Sequence, residues 1–242
     1  MSAVSIAENV ARIHDEISAA CVRAGRRREE VQLMAVSKMH PVEAIHQAIG
    51  AGQLLFGENR VQEMQQKYPL LSPIQSHAAP CFHLIGHLQS NKSAKAAEIF
   101  QAIDTVDSLR LAERLNEAAE KLDRTLPVLI EVKLSPEEAK TGLDPRDLPQ
   151  LLERLRGLSQ LELRGLMTVP PWSEDPETAR PYFQQLRKLR DEMAAAHPRL
   201  NFAELSMGMS GDFAVAIEEG STCVRIGTAI FGKRDYSTVK AD

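Results

Sequence analysis

The chain has 242 residues, 43% of them hydrophobic, enough to bury one sizeable core, and its composition has no break that marks a second domain. Its 29 basic residues are scattered among 33 acidic ones for a net charge of −4, so the basic stripe of a nucleic-acid binder is missing. Cys21, Cys81 and Cys223 are odd in number and widely spaced, which argues against a disulfide framework or a local zinc motif.

The elements follow in chain order. Ile6, Val10, Ile13 and Ile17 recur at helical spacing and predict an amphipathic N-terminal helix. This start has early acids rather than a basic region followed by an apolar run, and no stretch approaches 18 uninterrupted apolar residues. Neither export nor membrane spanning is therefore expected, and a reducing, cytoplasmic setting fits the cysteines. "VQLMAVS" (31–37) reads as a buried parallel strand, with Pro41 at the start of a helix behind it.

That alternation repeats. Further strands are predicted at 53–57, 81–86, 101–106, 127–134, 161–169, 201–207 and 222–227, each separated by enough chain for a crossover helix. Between them, 108–122 carries a stripe of Leu109, Ala112, Leu115, Ala119 and Leu122 behind a Ser108 cap. The segment 144–158 has Asp144 as cap, Pro145 at the first helical position, and Leu148, Leu151, Leu152, Leu155 and Leu158 facing inward. "PLLSPIQSHAAP" (69–80) and "PPWSEDP" (170–176) read as loops, and the acids of "EIFQAIDTVD" and "EAAEKLD" as solvated helix faces. Eight β/α units predict a single (β/α)8 TIM barrel spanning 1–242 with an extra N-terminal helix; an open doubly wound sheet is the alternative.

A barrel of this kind carries its site where the strands end. Lys38 follows the first strand, where an ammonium is either paired, snorkelling to the rim, or a partly desolvated amine able to condense with a carbonyl. "SMGMSGD" (206–212) offers Ser206, Ser210, Gly208 and Gly211 ahead of a short helix, an arrangement open to two readings: an anion cradle or a plain capped turn. Gly227, Gly232 and Lys233 echo a nucleotide P-loop, but Arg234 replaces the required hydroxyl and only eight residues follow it. Gly227 and Thr228, at the end of the eighth strand, fit instead the phosphate site that barrels build from the loops after strands seven and eight. Arg225 shares the face of Gly227 by period two and points into the barrel, a costly position without a defined acceptor. An amine, a phosphate cradle and an interior guanidinium together describe a site for pyridoxal 5′-phosphate. His83 and His87 straddle a strand end and lack the helical geometry of a zinc pair, so core or rim roles are expected. Trp172 reads as a surface anchor.

The motifs "VSK" (36–38), "FGENRVQE" (56–63), "HLIGHLQSNK" (83–92), "EEAKTGL" (137–143), "RGLM" (164–167), "LSMGMSGD" (205–212) and "VRIGTAIFGKRDY" (224–236) resemble, in order, the pyridoxal phosphate homeostasis proteins, related in fold to the N-terminal barrel of alanine racemase. The resemblance implies that Lys38 holds pyridoxal phosphate as a Schiff base, with Arg225 at the pyridine nitrogen. It implies Ser206, Ser210, Gly227 and Thr228 around the phosphate, Asn59 and Met207 lining the pocket, and Lys140 at a second, weaker cofactor site. Arg60 and Lys133 depart from it, standing where the family usually has Tyr and Asn.

The implied role is a non-catalytic carrier acting in intracellular vitamin B6 homeostasis, passing the cofactor to apo-enzymes or amines; the alternative is an amino-acid racemase. Arginine only donates, so Arg225 would keep the ring nitrogen unprotonated and weaken it as an electron sink, although alanine racemases share that arrangement. Racemisation needs an acid/base on each face of the carbanion. The racemases take their second from a tyrosine on an additional β-domain, and this chain ends near where that domain would begin; Tyr68, Tyr182 and Tyr236 remain. A monomer is expected, without nucleic-acid, membrane or metal partners.

Overall fold

The computed structural model describes residues 4–71, 79–135 and 141–232. Eight parallel strands run in chain order: β1 (Gln32–Val36), β2 (Leu55–Glu58), β3 (Cys81–Leu84), β4 (Ala102–Val106), β5 (Leu126–Glu131), β6 (Leu161–Met167), β7 (Glu204–Ser206) and β8 (Cys223–Ile226). Each lies inside or within a residue of its expected segment. β1 pairs with β8 through Gln32↔Cys223 to Ala35↔Ile226, which closes the sheet and disposes of the open alternative. The fold is a (β/α)8 TIM barrel.

Period two sorts the strand side chains onto two sides. Leu33, Ala35, Phe56, Phe82, Leu205, Val224 and Ile226 belong to the continuous core between sheet and helices, whereas Met34, Val36, Leu129, Met167 and Cys223 are buried outside that cluster, within the barrel. The barrel interior is unusually polar: Asp104, Glu131, Ser206 and Arg225 alternate with the apolar set on their strands.

The outer ring comprises α2 (Val42–Gly50), α3 (Val61–Leu71), α4 (Ser93–Ile99), α5 (Leu109–Lys121), α6 (Leu148–Leu155), α7 (Arg180–Ala196), α8 (Phe213–Glu218) and α9 (Thr228–Phe231), and α1 (Ile6–Arg23) precedes them all. α1 begins with a capping box between Ser5 and Glu8 and buries Val10, Ile13 and Ile17. The buried stripe, at about 1.5–3 kcal/mol per fully buried side chain, outweighs the cap at about 1 kcal/mol. α1 also closes the ring where α9 is too short to do so, since Asn9 Nδ2 and Arg12 Nη2 donate to the carbonyls of Ile230 and Ala229 at 3.0 and 2.9 Å.

Several local expectations shift. Ser108 caps α5 through the Leu111 amide, but Leu122 lies past the helix and is exposed. Asp144 and Pro145 open a 3-10 turn (Pro145–Asp147) before α6 begins. Pro41 is the residue before α2 rather than its first. Pro69 closes the last turn of α3 instead of opening a loop, and 72–78 lies outside the described residues. Asp104 is no solvated acid: it sits on β4, buried inside the barrel, with His83 Nδ1 at 3.1 Å. Trp172 is exposed, as a surface position requires.

Candidate functional site at the C-terminal mouth

The strand ends bring most of the singled-out residues to one mouth of the barrel. Lys38 lies two residues past β1 in a tight turn and is half-buried. Next to it Met39 adopts φ 61°, a left-handed conformation a methionine rarely takes, and its amide donates to Glu63 Oε1 at 2.6 Å. His40 then stacks on Phe231 of α9, ring centroids 5.0 Å apart.

β8 supplies the interior guanidinium. Arg225 is almost wholly buried; its Nη1 donates to Ser206 Oγ at 2.7 Å and its Nη2 to the Thr168 carbonyl at 2.8 Å. These are the defined acceptors that a buried arginine needs. Burial pulls its pKa down from the usual arginine range, opposed by Cys223 and the interior acids Asp104, Glu131 and Asp212. A guanidinium stays charged through such a shift and so remains a donor only.

The loops after β7 and β8 lie together. The Arg225 amide donates to the Gly208 carbonyl at 2.9 Å, tying β8 to the turn that carries Ser210. Gly208 has φ 99°, and a Cβ there would stand 2.6 Å from the Ala216 Cβ, so only glycine lets the turn sit this close to α8. Ser210 is half-buried in that turn, while the Asp212 carboxylate accepts the Met209 amide at 2.5 Å. Gly227 precedes α9 beside Val36, and Thr228 is exposed at the head of α9. The β8 loop therefore adjoins the strand that delivers Lys38.

Two expected residues fit less simply. Asn59 follows β2 at the mouth with its Oδ1 buried and unpartnered, and its carbonyl would meet a Cβ at Gly86 at 2.3 Å, so a glycine is required there. Met207 packs into the core between sheet and helices, its amide bonded to the Cys223 carbonyl at 3.1 Å. Its side chain does not line the mouth, because it alternates with the inward Ser206. Lys140, Lys233 and Tyr236 lie outside the described residues.

Among the strand ends, a cavity of about 260 Å³ is lined by Asn59, Gly86, His87, Glu131, Lys133 and Thr141. Burial, then the charge of Asp107, holds the Glu131 carboxyl above its ordinary range, with Arg225 pulling the other way, and Thr141 Oγ1 lies 3.3 Å from its Oε1. His87 pairs with Asp107 at 3.2 Å on the rim, and no cluster of metal-ligating side chains occurs among the described residues. Glu131 and the acids around Lys67 were not singled out from sequence, and Thr168 only as the residue that follows the sixth strand. "GEN" contains Glu58, but nothing local marks Lys67 as its partner. Arg60 is exposed and Lys133 half-buried on the cavity wall, so both departures lie at the mouth or its rim.

Residues 9–235 match the family model described as "Alanine racemase, N-terminal domain". The pyridoxal phosphate homeostasis protein of Vibrio cholerae is 46% identical over 233 residues, covering 96% of this chain and 98% of that protein. The chain belongs to the pyridoxal phosphate homeostasis proteins. The member from Escherichia coli K12 is 44% identical over the same shares. A solved structure of PipY from Synechococcus elongatus, with PLP bound, shares 42% identity at a TM-score of 0.83, over 94% of this chain and 100% of that one.

The mouth of this pyridoxal phosphate homeostasis protein suits a phosphorylated aldehyde. It has one amine-bearing turn, a fixed guanidinium on the adjacent strand, two small-residue loops beside both, and the buried Asn59 Oδ1. No helix of the described residues is long and apolar enough to cross a membrane.

Proposed function

We propose that the chain binds pyridoxal 5′-phosphate at the C-terminal mouth and acts in its intracellular homeostasis, without strong catalysis. The observation that carries the reading is the Arg225 grip: a buried guanidinium fixed by Ser206 and the Thr168 carbonyl, on the strand next to that of Lys38. When bound, the cofactor supplies an aldehyde able to exchange between amines.

In this reading Lys38 is the amine that would hold the cofactor through its aldehyde, the carbonyl chemistry that the group would supply when bound. Arg225, a donor only, would face the ring nitrogen and offer it no proton to bind as a base. Ser206, Ser210, Thr228 and the Gly227 backbone hold the phosphate, and Asn59 borders the ring. Met207 contributes by packing the end of β7 from behind, because its side chain points away. Lys38 stands at the mouth, where a free amine would compete with it for that aldehyde. Apo-enzymes and amino acids are the recipients this chemistry allows.

The family-model match to a racemase domain favours a second reading, amino-acid racemisation. Among the described residues, Tyr68 is on α3 and Tyr182 on α7, both in the outer ring, and neither supports a second acid/base at the mouth.

The test is direct. Purified protein mixed with pyridoxal phosphate should turn yellow, borohydride should fix the label on Lys38, and Lys38→Ala should abolish the band. A wild-type protein that stays colourless with added cofactor overturns the assignment.

A further inference from the structure

We propose that Glu63 and Lys67, both on α3, are positioning residues for Lys38. They act by holding the two residues that flank it. The inference rests on the cofactor reading above only in what it says Lys38 is for.

Lys67 is buried, and its ammonium has three oxygen neighbours. Nζ lies 2.6 Å from Glu63 Oε1, 2.8 Å from Glu58 Oε1 and 3.0 Å from the Ser37 carbonyl. The contact to Glu63 is an ion pair, and those to Glu58 and the Ser37 carbonyl are hydrogen bonds. Ser37 returns to the same centre, its Oγ donating to Glu58 Oε1 at 2.8 Å. Glu63 also accepts the Met39 amide at 2.6 Å. The residues before and after Lys38 are thus fastened to one buried, charge-assisted network whose centre is a helix of the outer ring.

The fastening has something to hold. Met39 at φ 61° is in a left-handed region that is strained for any residue but glycine. A charge-assisted hydrogen bond to its amide is strong enough to offset that strain. Loss of the Glu63 acceptor therefore lets the turn relax toward ordinary backbone, and Lys38 loses its fixed direction. The stacking of His40 on Phe231 anchors the far side of the turn to α9, so a relaxation is taken up at residues 38 and 39.

A tie between helix and strand with no bearing on Lys38 would stabilise the fold and do nothing else. Two measurements separate the possibilities. The first is the rate at which the Schiff-base band appears in wild type, Glu63→Ala and Glu63→Gln after mixing with pyridoxal phosphate. Glu63→Ala, folded by circular dichroism, should form it about tenfold more slowly, the order expected when a reacting group loses its set orientation. Glu63→Gln keeps an acceptor oxygen and should recover most of the rate. The second is hydrogen exchange of the Met39 amide without cofactor: slow in wild type, fast in Glu63→Ala.

A wild-type band that Glu63→Ala leaves unchanged in rate overturns the positioning role alone. A wild-type protein that forms no band defeats the cofactor reading first. Should Glu63→Ala fail to fold, the wild-type Met39 amide still decides, because rapid exchange there means that the bond to Glu63 holds nothing.

Discussion

Arg225 Nη1 donates to Ser206 Oγ at 2.7 Å, joining β8 to β7 beneath the two loops that end those strands. Its other terminal nitrogen is 2.8 Å from the Thr168 carbonyl at the end of β6, so one side chain ties three strand ends together. The guanidinium faces an interior that also holds Asp104 and Glu131, and those acids offset part of its desolvation.

From this follows the expected behaviour of Arg225→Met. Removing a buried charge also removes its desolvation cost, so the fold should survive, while Ser206 Oγ and the Thr168 carbonyl lose their donor. Cofactor affinity should fall by about tenfold or more, the equivalent of one hydrogen bond from a charged group. Titration of the absorbance band measures it. Unchanged affinity would remove Arg225 from the site.

Gly208→Ala tests the turn that carries Ser210. The residue has φ 99°, and the added Cβ would meet the Ala216 Cβ at 2.6 Å and the Phe213 Cα at 3.1 Å. Strain of this kind costs about 1–3 kcal/mol, and relaxing it must move either the turn or α8. Urea unfolding should show the loss, and the half-saturating concentration for pyridoxal phosphate should rise with it. A variant as stable as wild type would mean that the turn adapts at no cost.

How much of this could be read beforehand depended on whether neighbours in sequence were neighbours in space. The strands were legible because a buried parallel strand is a short apolar run, as in Leu33–Val36, and closure followed from their number. Arg225 was legible as an interior residue through its period-two relation to Gly227. What escaped is long-range. Lys67 looks like any helical lysine until α3 packs against the end of β2 and places it on Glu58, and Met207 looked like pocket lining until alternation with Ser206 turned it outward. Asp104 was misassigned because its partner His83 is 21 positions away in sequence.

That His83–Asp104 pair predicts a pH dependence of stability. Burial disfavours the imidazolium, but the Asp104 charge and hydrogen bond more than offset it, and the pKa is pushed up to about 10. A folded pKa above the unfolded value of about 6.5 gives stability that is full below that value and lost as pH rises toward 10. Wild-type denaturation midpoints should therefore decline from about pH 6.5 upward, and His83→Gln should flatten that part of the profile. The decline persisting in His83→Gln would place its origin elsewhere.

The last prediction separates carrier from racemase. Abstraction and return of a proton at Cα need a base on one face of the substrate and an acid on the other, and each contributes about 10²–10⁴-fold when positioned. On the proposed reading Lys38 would serve one face. For the other face the mouth offers Glu131, whose carboxyl burial holds above its ordinary range, and His87, which is engaged with Asp107 on the rim. Neither is fixed toward Lys38 as Arg225 is fixed toward Ser206. Exchange of the Cα proton for deuterium should accordingly be slow across a panel of amino acids, while displacement of the cofactor from Lys38 by the same amines proceeds and is visible as a spectral shift. Rapid exchange with inversion would transfer the second acid/base role to the mouth, and Glu131→Gln would then show whether that carboxyl supplies it.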